Sequence, residues 1–471
     1  MENMKQIDLF IAKMKQEQLS EAAINSFIHY YSRLCTGDTG LIPENTIDTV
    51  AYDSIDNIEQ IQSVTATDQK ALLSEVVCIK LNGGLGTTMG LQGPKSLIPV
   101  KEGLSFLDIT AKQICSFNKQ YNVQIPLILM NSFRTEADSQ KALLQYPELT
   151  TAIPNSFVQN KFPKVFVSSL EPASYEQNPE LEWNPPGHGD LYITLETSGI
   201  LDKLISSGYR YAFISNIDNL GATLDPKILS YIAKKQIPFL MEVTKRTYMD
   251  RKGGHLAQLK NGKLTLREAA QCPNESSEAF MDISRYCYFN TNNLWIDLAA
   301  LRTKLNESNG FLDLPMIRNR KKLNPLDKQS SDVYQVESAM GTAISVFDNS
   351  AALRVPRSRF APVKSCEDLL LLWSDAFILD KNSSITSNPE RKYQDITIKL
   401  DPEYYSFVNQ LQERFPYGAP SLLNSASFTV KGDFLFGKDI AIQDSVILTN
   451  HLKKQISIPD QTLFKSNMEY Q

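Results

Sequence analysis

Between about residue 75 and residue 380, short apolar runs alternate with stretches of helical spacing, and no other feature restricts the fold as much. The runs are EVVCI (75–79), VQIPLILM (123–130), KVFVSSL (164–170), YRYAFIS (209–215) and IPFLMEV (237–243). Buried apolar runs separated by helices predict an α/β domain built on a largely parallel sheet. Ligands of such sheets gather at the carboxyl ends of the strands, so the residues just after each run are where chemistry is expected.

The flanks differ from this middle part. Ile7, Phe10, Ile11 and Met14 recur at helical spacing, and a second helix starts near Ser20 and Glu21 with Ile24, Phe27, Ile28 and Tyr31 on one face, until TGDTGLIPE (36–44) breaks the pattern. After the polar stretch DKNSSITSNPERKYQ (380–394), apolar pairs recur every six residues: Phe428/Val430, Phe434/Phe436, Ile440/Ile442 and Val446/Leu448, with Ile456/Ile458 rejoining after a slip. A six-residue period predicts the coils of a small left-handed β-helix, with two ordinary hairpins as the alternative. The chain thus divides into a helical segment over 1–75, an α/β domain over 76–385 and a C-terminal β-module over 386–471, suited to packing or oligomerisation.

With 42% hydrophobic and 21% charged residues, the 471-residue chain can bury a large core. Its net charge of −5 gives no global attraction to nucleic acid, and the basic run RNRKK (318–322) reads as a solvated loop. Six cysteines without C-x-x-C spacing predict reduced thiols and no zinc site. Lys5, Asp8, Lys13 and Lys15 interrupt any signal-peptide core, and no stretch approaches the ~20 apolar residues of a membrane span, so a cytoplasmic protein is expected.

Directly after the first run comes KLNGGLGTTMGLQGPKS (80–96). It misses the dinucleotide fingerprint because Met89 stands at the sixth position, and it misses the P-loop because Pro94 separates Gly93 from Lys95. The physics common to both still applies, since Gly83, Gly84 and Gly86 let backbone N–H groups approach an anion without a Cβ in the way. A glycine turn with no ligand is the other reading. WNPPGHGD (183–190) sets His188 in a loop, as a site group or as a satisfied structural histidine. ISNIDNLGA (214–222) puts Asp218 just past a strand end, as a Mg²⁺ ligand or as a turn or helix cap. FNTNNLW (289–295) offers amides for sugar hydroxyls or forms a polar turn, and VPRSRFAPVKS (355–365) brings Arg357, Arg359 and Lys364 together as cations for a polyphosphate. A phosphate loop, a following lysine, one aspartate and further cations fit phosphoryl or nucleotidyl transfer, which relies on positioning and charge neutralisation.

From about residue 70 to 465, these motifs in this order resemble the eukaryotic-type UDP-glucose pyrophosphorylases, with LMNSF, MEVT, KGG and GDFLFGKDIAI adding to the match. The resemblance implies a Rossmann-like, GT-A-like nucleotidyltransferase fold with a mixed, mostly parallel sheet. It also implies a reversible, Mg²⁺-dependent reaction in which glucose 1-phosphate attacks the α-phosphorus of UTP, giving UDP-glucose and pyrophosphate. Carried over by position, Leu81, Asn82, Gly83, Gly84, Lys95, Met130, Gln159, Gly187 and Asp218 would bind the nucleotide, Gln159 reading the uracil and Lys95 the phosphates. His188, Asn216, Ile217, Asp218, Gly254, Glu268, Asn290 and Asn292 would bind the sugar phosphate and hexose. Asp218 would hold Mg²⁺, and Lys364 together with Lys95 would be catalytic. Arg246 and His255 depart from the family pattern near the expected sugar site, and Lys321 aligns ambiguously. A relative acting on N-acetylglucosamine 1-phosphate is disfavoured by Thr88. A broad-specificity UDP-sugar pyrophosphorylase and a silent nucleotide-sugar binder stay open, the latter opposed by the presence of Lys95, Asp218 and Lys364.

Overall fold

The computed structural model describes residues 2–62 and 65–471, without the side chains of residues 2–5 and 88, so Thr88 as a specificity clue lies outside the described side chains. Its centre is a ten-stranded sheet. The strands are β1 (Ile47–Asp48), β2 (Val76–Asn82), β3 (Leu127–Asn131), β4 (Ser156–Val158), β5 (Tyr211–Asn216), β6 (Phe239–Lys245), β7 (His255–Leu259), β8 (Leu264–Arg267), β9 (Tyr288–Asp297) and β10 (Ala351–Arg354). β4, β3, β2 and β5 lie side by side and parallel. β9 runs antiparallel to β5 and β6, β6 is parallel to β10, and β1, β7 and β8 extend the sheet as antiparallel pairs.

The sheet is therefore mixed, not mostly parallel as the apolar runs predict. The cause is β9: FNTNNLW, for which a polar turn is one of two readings, is itself the buried middle of a ten-residue strand, and its direction sets the pairing on both sides. Of the five runs, KVFVSSL is the one outside the sheet. Only Val165–Phe166 is strand, because the chain turns at once, the Leu170 N–H donating to the Phe166 carbonyl (2.9 Å) with Leu170 at φ 58°. That pair joins a small antiparallel sheet with Met316–Lys322 and Asp332–Ser338. RNRKK is thus a strand and not a loop, Arg320 and Lys322 both facing Asp332 across it.

Successive residues of the central strands point to opposite faces. Val76, Cys78, Leu127, Leu129, Tyr211 and Phe213 enter one core, and Val77, Ile79, Ile128, Met130, Ala212 and Ile214 enter the other. Helices cover both faces. Phe106–Tyr121, begun by a Ser105/Asp108 capping box, and Pro226–Lys235, capped by Asp225, lie on the first. Leu191–Thr197, Ile200–Ser206 and Leu298–Glu307 lie on the second.

Helices α1 (Glu2–Gln16) and α2 (Glu21–Cys35) pack Phe10, Met14, Phe27 and Tyr31 against Val165, Met316 and Val336 of the small sheet and against Phe162 of a separate strand pair. At the other end, Ser421–Lys431 pairs in parallel with Ala441–Asn450, and Phe434–Phe436 with Ile456–Ile458. Hairpins would pair antiparallel, so the six-residue period here marks stacked parallel coils. Phe428, Phe434 and Val446 of these coils share one buried cluster with Val100, Leu369 and Leu370 of the α/β part. Among the described residues all six cysteines are free, and no helix is long and apolar enough to cross a membrane.

Candidate active site

At the carboxyl ends of β2, β3 and β5 the register places Leu81 between Met130 and Asn216. Beyond these strand ends opens a cavity of about 350 Å³ lined by Leu81, Asn82, Gly83, Gly84, Lys95, Met130, Gln159, Pro185, Gly187, His188, Asn216, Ile217 and Asp218. These residues come from five separated stretches of chain, and all except Pro185 are expected from the sequence.

The glycine loop leaves β2 and turns on Gly86 and Gly90, both in the left-handed region (φ 60° and 76°). It closes where the Lys95 N–H donates to the Gly84 carbonyl (3.0 Å). Pro94 starts a short 3₁₀ turn, Lys95–Leu97, which points Lys95 back at the cavity. Its Nζ sits 2.5 Å from Asp218 Oδ2 and also donates to the Val363 carbonyl. Asn82 is partly spent elsewhere, its amide donating to Asn131 Oδ1 and Ser139 Oγ (2.7 Å each), so it braces the loop against β3. Gln159 is tied by its N–H to the Asn131 carbonyl (2.8 Å), and its amide lies against Gly83, where a Cβ would come within 3.1 Å of Nε2.

Gly187 has φ 80°, and a Cβ there would overlap the Ser338 carbonyl oxygen, so this position requires glycine. The following His188 accepts a hydrogen bond at Nδ1 from the Met340 N–H (2.9 Å). Nδ1 is therefore the unprotonated nitrogen, and Nε2 carries the hydrogen. Burial pushes the imidazole pKa down to about 4, which makes His188 a neutral donor near pH 7.

The expected hexose residues form a second cluster, joined to the first through Met340 and Gly341. Met340 holds His188, and a Cβ on Gly341 would press on Asn290 Nδ2. In β9 the Asn290 amide donates to Asn292 Oδ1 (2.8 Å), while the Asn292 N–H donates to Asn290 Oδ1 (2.9 Å). Asn292 has φ 56°, because β9 bulges there: Met241 pairs with Leu294 and Val243 with Asn290, leaving three residues of β9 against Glu242 alone. Bulges next to active sites re-aim side chains, and this one turns two amides toward the cluster. A Cβ on Gly254 would overlap the Glu268 carboxylate, whose pKa burial raises and nearby Lys364 lowers in part.

Three expectations need correction. Arg357 and Arg359 are not free for a polyphosphate: Arg357 is bidentate to Asp250 (2.6 and 3.0 Å), and Arg359 is bidentate to the buried Glu242 (2.7 Å each). Arg357 and Lys364 are both exposed, and Lys364 is the cation of the three without a carboxylate partner among the described residues. Arg246 is buried and donates to the carbonyls of Phe280, Arg251 and Gly253, so its guanidinium is spent on holding the loop before Gly254. His255 stacks on Tyr286 (centroids 3.8 Å apart) inside β7 and is likewise a core residue. Met340, the Val363 carbonyl and Pro185 had not been singled out. Pro185 at least lies within WNPPGHGD, whereas a backbone group such as the Val363 carbonyl leaves no mark in a sequence.

The family model for UTP–glucose-1-phosphate uridylyltransferases matches residues 24–443. The uridylyltransferases of Encephalitozoon cuniculi and Saccharomyces cerevisiae are each 41% identical to this chain, over 88% of it and 82% of the former, and over 84% of it and 78% of the latter. A crystal structure of a UDP-glucose phosphorylase from Trypanosoma brucei is 42% identical, with a TM-score of 0.89 over 99% of this chain and all of that one. A variant of the Leishmania major UDP-glucose pyrophosphorylase, solved in complex with UDP-glucose, reaches a TM-score of 0.91 at 39% identity over 99% of both chains. The chain belongs to the UTP–glucose-1-phosphate uridylyltransferase family.

Proposed function

We propose that the cavity at the ends of β2, β3 and β5 carries out reversible uridylyl transfer, UTP and glucose 1-phosphate giving UDP-glucose and pyrophosphate, by direct attack of the sugar phosphate on the α-phosphorus. The observation that carries this reading is the convergence of the glycine loop, Lys95, Gln159, His188 and Asp218 on one cavity. The Gln159 amide can pair with the uracil edge, and the loop N–H groups with Lys95 can hold the phosphates. Neutral His188 offers Nε2–H to a phosphate oxygen, and Asn290, Asn292 and Glu268 take the hexose hydroxyls. The nucleophile is already an oxyanion, so no general base is needed. Lys364, with Lys95, stabilises the negative charge that builds up at the α-phosphate while the bond to the pyrophosphate leaving group breaks.

Among the described residues that line the cavity, Asp218 is the one carboxylate. It fits Mg²⁺, which takes one or two protein carboxylates with phosphate oxygens and water in the other positions. Bound there, the ion would neutralise phosphate charge. The GT-A-like frame, a left-handed C-terminal coil, the division at 75 and 385, a cytoplasmic location and association through the coil module complete the reading. It is supported by the parallel coils and the unbridged cysteines.

The test is pyrophosphate release from UTP with a panel of sugar 1-phosphates, with and without Mg²⁺. Release with glucose 1-phosphate that requires the metal is expected. Equal turnover of galactose 1-phosphate would make this a broad-specificity enzyme, and no release with any sugar would make it a silent binder.

A further inference from the structure

The NIDNLGA stretch carries Asn219 beside Asp218, and no role in the reaction has yet been given to it. Its side chain is buried, at 2% exposure. Every bond it makes crosses to another element. Oδ1 accepts from the Ala361 N–H (2.9 Å), and Nδ2 donates to the Arg359 carbonyl (3.1 Å) and to Asn293 Oδ1 (3.2 Å). The Arg359 carbonyl receives a second amide, from Asn293 (3.1 Å). Backbone contacts run alongside: Asn219 bridges Pro362, and the Val363 N–H donates to the Asp218 carbonyl (3.3 Å). Two residues on, Gly221 lies so close that a Cβ would overlap the Ser358 carbonyl oxygen.

We propose that Asn219 is a positioning residue for catalysis: it clasps the segment over 355–364 to the Asp218 turn and so sets the place of Lys364. Arg357 and Arg359 anchor the start of that segment through Asp250 and Glu242, and the Lys364 N–H is held by Asp368 (2.8 Å). Between these anchors the Asn219 amide fixes the main chain at Arg359 and Ala361, with Asn293 a second donor to the Arg359 carbonyl. A planar amide matches the task because it donates to one carbonyl and accepts from one N–H on the same strand of chain, which neither a carboxylate nor a hydroxyl does in that geometry.

The inference rests on the catalytic role given to Lys364. It is tested with Asn219→Asp and Gly221→Ala, which disturb the same clasp from its two sides, alongside Lys364→Ala and the Asn219→Asp/Lys364→Ala double variant. With saturating UTP and glucose 1-phosphate, both clasp variants should lose about tenfold to a hundredfold in kcat, the scale expected of a misplaced catalytic group, while KM for UTP stays within about twofold. Because Asn219 acts through Lys364, the double variant should lie within about threefold of Lys364→Ala alone, whereas independent effects multiply. Clasp variants that melt earlier but keep kcat, or a double variant whose losses multiply, would overturn the proposal. Wild-type kcat in Lys364→Ala would remove the role of Lys364 itself, a result separable from a loss confined to the Asn219 variants.

Discussion

Lys95 and Asp218 neutralise one another across 2.5 Å, while Lys364 stands exposed at the cluster of Glu268 and the β9 amides. On the proposed reaction, the lysine without a carboxylate partner among the described residues is the one left to act in the transition state. Lys364→Ala should lower kcat by about a hundredfold with KM for UTP little changed, whereas Gln159→Ala should mainly raise KM for UTP and narrow its margin over other nucleotides. Steady-state kinetics with UTP and CTP separate the two, and wild-type kcat in the lysine variant would refute its role. Away from the cavity, burial, with help from Arg246 and Arg267, holds the His255 pKa at about 3, against ~6.5 in an unfolded chain. The unfolded state takes up the proton first, so this contribution to stability is complete above pH ~6.5 and is lost as pH falls toward 3. Between pH 7 and pH 4, the wild type should lose on the order of 3 kcal/mol more than His255→Phe, as read by urea unfolding. Parallel curves for the two proteins would show that the histidine is not buried neutral.

Among elements, β9 bears the densest polar packing. Glu242, opposite the bulge, accepts from Trp295 Nε1 (2.9 Å), Asn293 Nδ2 (3.1 Å) and Arg359, while its carbonyl accepts from Thr291 Oγ1 (2.7 Å). Removing one partner of a buried ion pair leaves the other charge uncompensated. Arg359→Met should therefore cost about 3 to 5 kcal/mol in chemical denaturation, and a loss below about 1 kcal/mol would show that Glu242 is stabilised without it. Much of the site was legible in the sequence. The glycine loop, Lys95 and Asp218 stand directly after apolar runs, His188 stands out in the glycine- and proline-rich WNPPGHGD, and Gln159 came with the family resemblance. What stayed hidden was set by partners far along the chain. Nothing near Arg357 or Arg359 announces Asp250 or Glu242, and nothing in FNTNNLW tells a buried strand from a polar turn until β6 lies beside it. The direction of β9, and with it the mixed sheet, was hidden for the same reason.

For the molecule as a whole, the buried cluster that joins the C-terminal coils to Val100, Leu369 and Leu370 means that the parts told apart by sequence pattern do not have separate cores. A chain ending at residue 385 would expose that face and should not fold, and the full chain should melt in one calorimetric transition. Two resolved transitions, or a folded 1–385 fragment, would refute this. The bulge also has a meaning for the sheet as a whole. Two surplus residues, unlike one, leave the alternation of faces unchanged, so Tyr288 before the bulge and Leu294 after it point into the same core. A strand two residues shorter would keep every core side chain on its own side and make a more regular ladder. Measured by what the sheet requires, Asn292 and its neighbour are spare length, a slack loop let out of a taut strand where the proposed hexose site lies.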